Sequence, residues 1–345
     1  MNKRFKRLIY IFIGISALAI TVIVYGYQTM FTPNIMTTQD EGILFIPENA
    51  TIQDVTDSLV KHEYVNDIVS FRFVSKLMHY NDNVKPGRYL LKRDMTNREA
   101  VSVLRSGLQQ PVKVTFSHAR TLEDLAPVIT KNIRCTPEAF MAAVTNPEVV
   151  QKLGFDTVSV RSMFIPNTYE LYWNTDVNGL LERMKYEYEQ FWTKDRKAKA
   201  EKLGLSPLQV TTLASIVQAE TIKGDEKPRV AGLYMNRLNR NMLLQSDPTV
   251  VYALGDFTKK RILTKDLEVD SPYNTYKHTG LPPGPINIAN IQSIDAVLNM
   301  EKHKYIYMCA KEDFSGYHNF AESHREHINN ANRYQRALSK AKIYK

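Results

Sequence analysis

The feature that most constrains this chain is an uncharged run from Leu8 to Tyr27, preceded directly by Lys3, Arg4, Lys6 and Arg7. Twenty apolar residues at about 1.5 Å rise reach roughly 30 Å, the thickness of a bilayer's hydrocarbon core. A secretory signal is the competing reading, but its apolar region is usually about 7–15 residues long and ends at a small-residue cleavage site. Tyr25-Gly26-Tyr27-Gln28 has no Ala-x-Ala pattern. The run therefore predicts an uncleaved, single-pass anchor at residues 8–27. The four basic residues keep the short tail 1–7 in the cytoplasm, and everything after the span lies outside it, on the far side of the cell (inner) membrane.

The remainder is long enough for about two folded domains. Of its 345 residues 43% are hydrophobic and 23% charged, which excludes the low-hydrophobicity, high-charge signature of disorder. There is no P-loop and no dinucleotide fingerprint, which removes kinases, NTPases and Rossmann enzymes. The net charge of +9 does not point to nucleic acid: four of those positives flank the span. More sit between Glu322 and Lys345, six Lys/Arg against two Glu, with Ile328, Ala331, Tyr334 and Leu338 at helical spacing. That pattern reads as a terminal helix with one apolar stripe and a solvated basic face. Cys135 and Cys309 are too few for a disulfide scaffold, and whether they pair stays open. His324 and His327 share a helix face without a convergent Cys or carboxylate motif, and His118 reads as a surface histidine on a turn. Neither a metal site nor a cofactor is expected.

Residues 28–41 are polar and unpatterned, as suits a tether. Ile43 to Ile46 then reads as a strand, and Thr51 opens a helix with a capping residue and an acidic first turn. The design returns seventy residues later: Ile46 to Val55, with Thr51 and Asp54, aligns with Phe116 to Leu125, with Thr121 and Asp124. Two copies are too few for a solenoid. With a turn and strand at Lys85–Leu91 and a short helix from Asn97 to Leu104, they indicate an α+β architecture: a small domain over 42–108, a boundary near Leu108–Pro111, and a larger mixed α/β domain over 109–345.

One segment of that larger domain is arranged for chemistry. Ser206-Pro207-Leu208-Gln209 is a capping box with Pro at the first helical position. The helix it starts has an apolar stripe through Val210, Leu213, Ala214 and Val217, and three residues further on the stripe reaches Glu220. Gln218 lies about 200° away around the helix. A carboxyl group at the end of an apolar face is desolvated, its charged form is disfavoured, and it can act as a proton donor near neutral pH. The alternatives are that Glu220 tips into solvent or pairs with Arg229 or Arg237. A second helix spans Asp225 to Leu238. Leu244 to Thr249 follows as a polar turn, and then Ser271 to Tyr276 and Thr279 to Pro285, loops of Tyr, Asn, Thr, Pro and Gly. Flat apolar groups beside neutral hydrogen-bonding groups suit sugar rings, although Pro and Gly punctuation also marks ordinary turns.

The ordered segments Leu213–Thr221, Val230–Leu238, Leu244–Val250, Tyr273–Tyr276, Gly280–Gly284 and the closing Gly316–Phe320 resemble the MltG (YceG-like) endolytic murein transglycosylases. The resemblance covers most of the chain, including the anchor and a LysM-like domain at 42–108. It implies a catalytic domain at 109–345 that cleaves the β-1,4 bond between N-acetylmuramic acid and N-acetylglucosamine in peptidoglycan strands without water, leaving 1,6-anhydro ends. Wall-synthesis enzymes are the implied partners. The family's general acid falls on Glu220, the residue the stripe selected. Many relatives have a second Glu where Gln218 stands and Glu-Gly where Ser117-His118-Ala119 stands.

Ordinary glycosidases need two carboxylates; an internal nucleophile, the muramyl 6-hydroxyl, removes that need. Asp225 and Asp247 are each arguable as a second carboxylate, and Asp247 also reads as a turn and capping residue before Pro248. Asn236, Gln245, Ser246, Asp247, Tyr273, Asn274, Thr275 and His318 are the candidate sugar-lining shell, and the same residues also suit holding the loops together. Two other readings remain: a membrane-anchored wall-binding scaffold without activity, and a glycosidase that uses water.

Overall fold

The computed structural model describes residues 3–259 and 261–341. The last four residues of the expected terminal helix, and the first two of the expected cytoplasmic tail, lie outside the described residues.

Two compact units divide the chain. Unit 1 comprises residues up to Lys113 with Asn132–Arg134 and Glu170–Thr175; unit 2 comprises Val114–Lys131, Cys135–Tyr169 and Asp176 onward. In unit 1, α1 (Lys3–Phe31) is followed by β1 (Glu41–Ile46), α2 (Ile52–Lys61), α3 (Ile68–Leu77), β2 (Gly87–Lys92) and α4 (Asn97–Ser106). β1 and β2 pair antiparallel, Glu41 opposite Lys92 and Ile46 opposite Gly87. Leu44, Ile46, Tyr89 and Leu91 point inward from this ribbon onto Val55, Leu59, Phe71, Val74, Val101 and Leu104. The alternation along the strands and the helical spacing on α2, α3 and α4 account for that core.

α1 is long and apolar enough to cross a membrane, and no residue of its most apolar stretch is buried. The helix continues past the expected end of the span at Tyr27 as far as Phe31, and the segment after it is not a free tether. Thr29 is buried, Pro33 bridges to Thr96 and Ile35 to Val65, and Ile35 is fully enclosed in the unit 1 core. A buried amide network holds this junction. Asn34 Nδ2 donates to Asn97 Oδ1 (2.7 Å) and to the Asp67 carbonyl (2.9 Å), Asn34 Oδ1 accepts from Asp67 N (2.8 Å), and Asn97 Nδ2 donates to the Thr29 carbonyl (2.9 Å). Polar composition in residues 28–41 hid this role, because the polar groups face one another instead of water.

β3 (Val112–Phe116) and β4 (Asn167–Leu171) pair where the chain passes from one unit to the other. Unit 2 continues through α5 (Leu122–Ile129), α6 (Pro137–Val144), α7 (Pro147–Lys152), α8 (Val177–Phe191), α9 (Lys194–Lys202), α10 (Pro207–Glu220), α11 (Lys227–Asn239), α12 (Asp247–Leu254), α13 (Ile291–Leu298), β5 (Tyr307–Ala310), β6 (His318–Ala321) and α14 (His324–Lys340). The architecture is α+β. Within unit 2 the described strands form only two-stranded pairs between helices, so this unit is mainly helical and not the mixed α/β domain expected. β5 and β6 have no third described strand beside them, and helices supply the rest of the unit. The repeated strand-helix pattern is real at the level of its caps: Thr51 with Asp54 on α2 and Thr121 with Asp124 on α5 are both complete capping boxes.

α10 sits at the centre of unit 2, packed by α9, α11, α12 and α13. Its capping box, Ser206 with Gln209, is formed as expected. The stripe, however, widens to the whole circumference: every residue from Val210 to Val217 is buried, because neighbours surround the helix. The polar members are satisfied locally, Thr211 and Thr212 on carbonyls four residues back and Ser215 on the Thr212 carbonyl. α11 carries Gly232 where the 301–303 segment crosses; a Cβ there would sit 2.4 Å from the Glu301 carbonyl oxygen, so the close approach requires glycine.

α14 keeps Ala331, Tyr334 and Leu338 half-buried and Arg325, Arg336 and Lys340 exposed, as the stripe and basic face predict, with departures at three positions. Ile328 is exposed, Asn330 is buried, and His327 stacks on Tyr307 with ring centroids 5.2 Å apart. The helix packs on β5 and β6 through a mixed polar and aromatic stripe. Cys135 and Cys309 are both free thiols. Among the described residues no cluster of His, Cys, Asp and Glu is arranged to hold a metal ion.

Truncating Asn97 to Ala leaves the Thr29 carbonyl and the Asn34 side chain without their buried partner. Such a loss costs about 2–3 kcal/mol. Thermal melting of Asn97→Ala in detergent, followed by circular dichroism, is expected to show unit 1 unfolding several degrees below the wild type, with the unit 2 transition unmoved.

Candidate active site

α10 ends abruptly: Thr221 is extended, with φ −141° and ψ 135°, so Glu220 is the last helical residue. Its carboxyl group lies in a hollow of about 230 Å³ that Tyr234 and Arg237 of α11, Gln245, Asp247, Tyr276 and His318 also line. Two hydroxyl groups donate to the same oxygen, Oε1: Ser246 Oγ at 2.5 Å and Tyr234 Oη at 2.6 Å. Oε2 is thereby the oxygen left for a proton and a reaction partner. Burial raises the Glu220 carboxyl above its ordinary value of 4.5; the two hydroxyl bonds pull it back only in part, and the nearby Asp247 carboxylate pushes it up further. Tyr234 is likewise held well above its ordinary value, by burial first and by the adjacent Glu220 second, so it stays a donor.

Neither arginine considered as a partner pairs with Glu220. Arg229 bonds Glu301 at 3.0 Å. Arg237 spends its guanidinium on carbonyls, Nε on Ile306 (2.6 Å) and Nη1 on Leu244 (2.7 Å) and Leu243 (3.2 Å), with Gln245 Oε1 at 3.3 Å. Glu220 also does not tip into solvent.

The shell expected from sequence separates into two groups. Gln245, Ser246, Asp247 and His318 come together around Glu220. Ser246 is fully buried and reaches Glu220 because Gln245 adopts a left-handed conformation, φ 51°, which turns the chain at that point. A left-handed non-glycine residue costs of order 1–3 kcal/mol, which the bonds from Gln245 N to the Thr275 carbonyl and from Arg237 to Gln245 Oε1 offset. His318 lines the hollow and pairs through Nδ1 with Glu226 Oε2 at 2.8 Å. Burial acts to raise Glu226, but the bonds from the His318 ring and backbone N–H outweigh it, and the carboxyl group is held below its usual range.

Asn236, Tyr273, Asn274 and Thr275 do not line the hollow. Asn236 Nδ2 donates to the carbonyls of His303 (2.8 Å) and Tyr305 (3.0 Å) and so fastens that segment to α11. Asn274 is fully enclosed, donating to the carbonyls of Leu267 and Val269. Tyr273 packs on Tyr252, ring centroids 4.6 Å apart. Thr275 Oγ1 accepts from Ser246 N at 3.0 Å and pairs with Thr249 Oγ1, so it positions Ser246 one step removed. These four hold the loops.

Asp247 does not cap α12; it is the first residue of that helix, and its Oδ1 accepts from Tyr276 Oη at 2.5 Å. Asp225 lies elsewhere, bonded to Tyr317 Oη. Gln218 does face away from Glu220, and it is engaged: Nε2 donates to Asn287 Oδ1 and the Ile288 carbonyl, and Oε1 accepts from Asn290 N, which ties the 287–290 loop to α10.

Sequence reasoning missed Tyr234, Tyr276 and Glu226 as members of the site. Tyr234 stands four residues after Val230 on a helix that packs on α10, and its hydroxyl on that otherwise apolar face is the signal the sequence offers.

The fold and the site define an α+β protein built around one carboxyl group, raised by burial and bonded by two hydroxyl donors, the equipment of an acid–base catalyst. The YceG-like family matches residues 44–333, and the chain belongs to it. It is 28% identical to the endolytic murein transglycosylase of Bacillus subtilis over 285 residues, 78% of each chain. To the endolytic murein transglycosylase of Streptococcus pneumoniae R6 it is 28% identical over 323 residues, 82% of this chain and 58% of that protein's length. The crystal structure of a yceG-like protein from Listeria monocytogenes superposes with a TM-score of 0.56 at 27% identity, covering 84% of this chain and 98% of the other.

A carboxyl group raised in the folded state contributes stability that is fully present below its ordinary value, 4.5, and is lost as pH rises through the folded value. Glu220→Gln removes that loss. Its melting temperature is expected to exceed that of the wild type at pH 8 and to converge on it near pH 4, as read by differential scanning calorimetry.

Proposed function

We propose that the chain is a membrane-anchored murein lytic transglycosylase: α1 crosses the cytoplasmic membrane with its basic N-terminus inside, and unit 2 cleaves glycan strands outside. The observation that carries this reading is the Glu220 carboxyl group, raised above its ordinary value by burial and with both hydroxyl donors on Oε1, which leaves Oε2 available. In the proposed reaction Glu220 donates its proton to the glycosidic oxygen between N-acetylmuramic acid and N-acetylglucosamine as that bond breaks. The resulting carboxylate, stabilised by Ser246 and Tyr234, takes the proton of the muramyl 6-hydroxyl, whose oxygen bonds to C1. The products are a 1,6-anhydromuramyl end and a free 4-hydroxyl, and Glu220 is again protonated. No second carboxylate is needed as nucleophile or base. Asp247, Gln245 and His318 are assigned to substrate binding, with the Asp247 charge also pushing the Glu220 carboxyl upward. The β1-α2-α3-β2 order, with its strands paired, supports a LysM-like, glycan-holding role for residues 42–108, and wall-synthesis enzymes are the natural partners of an enzyme that trims or terminates nascent strands.

The wild-type chain and Glu220→Gln, incubated in detergent with uncrosslinked strands, are expected to differ completely: anhydromuramyl ends, identified by mass spectrometry, from the wild type alone. Reducing ends would replace the internal nucleophile with water, and strand binding without new ends would leave a wall-binding scaffold.

The acid must be protonated, so kcat/KM is expected to fall as pH rises through the elevated value of Glu220. Tyr234→Phe deletes a bond that favours the charged form, so this basic limb moves to higher pH while kcat drops. A limb that stays put would remove Tyr234 from control of the acid.

A further inference from the structure

A second hollow of about 730 Å³ adjoins the first in unit 2. Asp247 lines both, and the end of α10 divides them, with Gln218 and Ala219 on one side and Glu220 on the other. The chemistry of the two differs. Val251, Tyr252, Phe257 and Ile262 give the larger hollow apolar walls, and Arg120, Lys259 and Arg261 line it as well; Asp247 is the one acidic side chain among its described lining residues. Arg120 is held over the Phe257 ring, 5.0 Å from its centroid, and donates to the Phe257 carbonyl at 3.3 Å. Lys259 is fixed by Asp266, Nζ 3.0 Å from each carboxylate oxygen. Arg120 is thus positioned by its surroundings, and the charge of Lys259 is already met by Asp266.

The N-acetylated sugar rings of a murein strand carry no charge, so cations lining a hollow beside the cleavage site match nothing in the glycan itself. The anionic groups of that polymer are the carboxylates of the short, alanine-rich peptides attached through the lactyl ether of each muramyl residue. Apolar walls for methyl groups and cations for carboxylates suit such an acidic peptide. We propose that this hollow is the subsite for the peptide stem of the muramyl residue being cleaved, so that the enzyme selects peptide-bearing over bare strands. The inference rests on the murein reading above.

The test uses the full chain in detergent and three uncrosslinked substrates: peptide-bearing strands, the same strands with peptide carboxylates amidated, and strands stripped of peptide, which retain only the lactyl carboxylate. The wild type is expected to show a kcat/KM about tenfold higher on the first than on the second or third, the scale of a few partly screened charge pairs. In Arg120→Glu/Arg261→Glu, and to a lesser degree in Arg120→Gln, that ratio falls towards one. Equal rates on the first two substrates, or a dependence on Arg120 that is largest on stripped strands, would overturn the proposal; the latter would assign the cations to the lactyl group.

Binding separates this from failure of the enzymatic reading. Glu220→Gln is expected to bind a fluorescent muramyl pentapeptide with an affinity that weakens with salt and drops about tenfold when the two arginines are reversed. Absence of that binding refutes the subsite whether or not the wild type cleaves strands, and binding without cleavage refutes only the transglycosylase.

Discussion

The site depends on a carboxyl group kept out of water with two hydroxyls on one of its oxygens. Burial alone would give a neutral acid that is slow to become a carboxylate, and full hydrogen bonding alone would give a carboxylate at neutral pH. Glu220 sits between these limits. Desolvation and Asp247 favour the proton, while Ser246 and Tyr234 stabilise the charge left when the proton goes. A group that must first give and then take a proton needs both states within reach, and the asymmetric placement on Oε1 leaves Oε2 to carry out the exchange.

Delivering two hydroxyls to one oxygen requires segments far apart in the chain. Tyr234 comes from α11, which packs along α10. Ser246 comes from the turn before α12, and that turn is strained at Gln245 and held from behind by Thr275 and Thr249. The loops rich in Tyr, Asn and Thr therefore serve the acid indirectly: Thr275 is enclosed and accepts from Ser246 N, and Asn274 beside it is enclosed and fastens its loop to the Leu267 and Val269 carbonyls. On the other side of α10 Gln218 holds the 287–290 loop with both ends of its amide. A Glu there would accept from Asn290 N equally well but could not donate to Asn287 and the Ile288 carbonyl.

How far the sequence discloses this depends on the range over which each signal acts. Capping boxes at Thr51, Thr96, Thr121 and Ser206 are settled within four residues, and all are formed. The end of α10 at Glu220 is visible because periodicity carries a register to its last turn. Contacts that join distant segments are not. Asn236 and Asn274 look like sugar ligands in a linear string because an amide has the same donors whether it faces a ligand or a carbonyl. Residues 28–41 look like a tether because the partners of Asn34 and Ile35 lie between about 30 and 60 residues further on. The widening of α10 from a stripe to a fully buried helix is of the same kind: Thr and Ser are acceptable inside when their hydroxyls bond the preceding turn, so composition does not reveal how many sides are covered.

Arg237 shows why the charges of the site are arranged as they are. A guanidinium lining the same hollow as Glu220 offers a ready ion pair, and such a pair would hold the carboxyl group ionised and destroy it as an acid. Instead the guanidinium donates to the carbonyls of Leu243, Leu244 and Ile306 and to Gln245 Oε1. Those bonds gather the turn that carries Ser246 and the entry to β5 onto α11, so the cation assembles the pocket it is barred from neutralising. His318 is restrained in the same way, with Nδ1 on Glu226. Each cationic or potentially cationic group around Glu220 is thus committed to a partner of its own, and Asp247, the group whose charge favours the proton on Glu220, is the one held beside it by Tyr276.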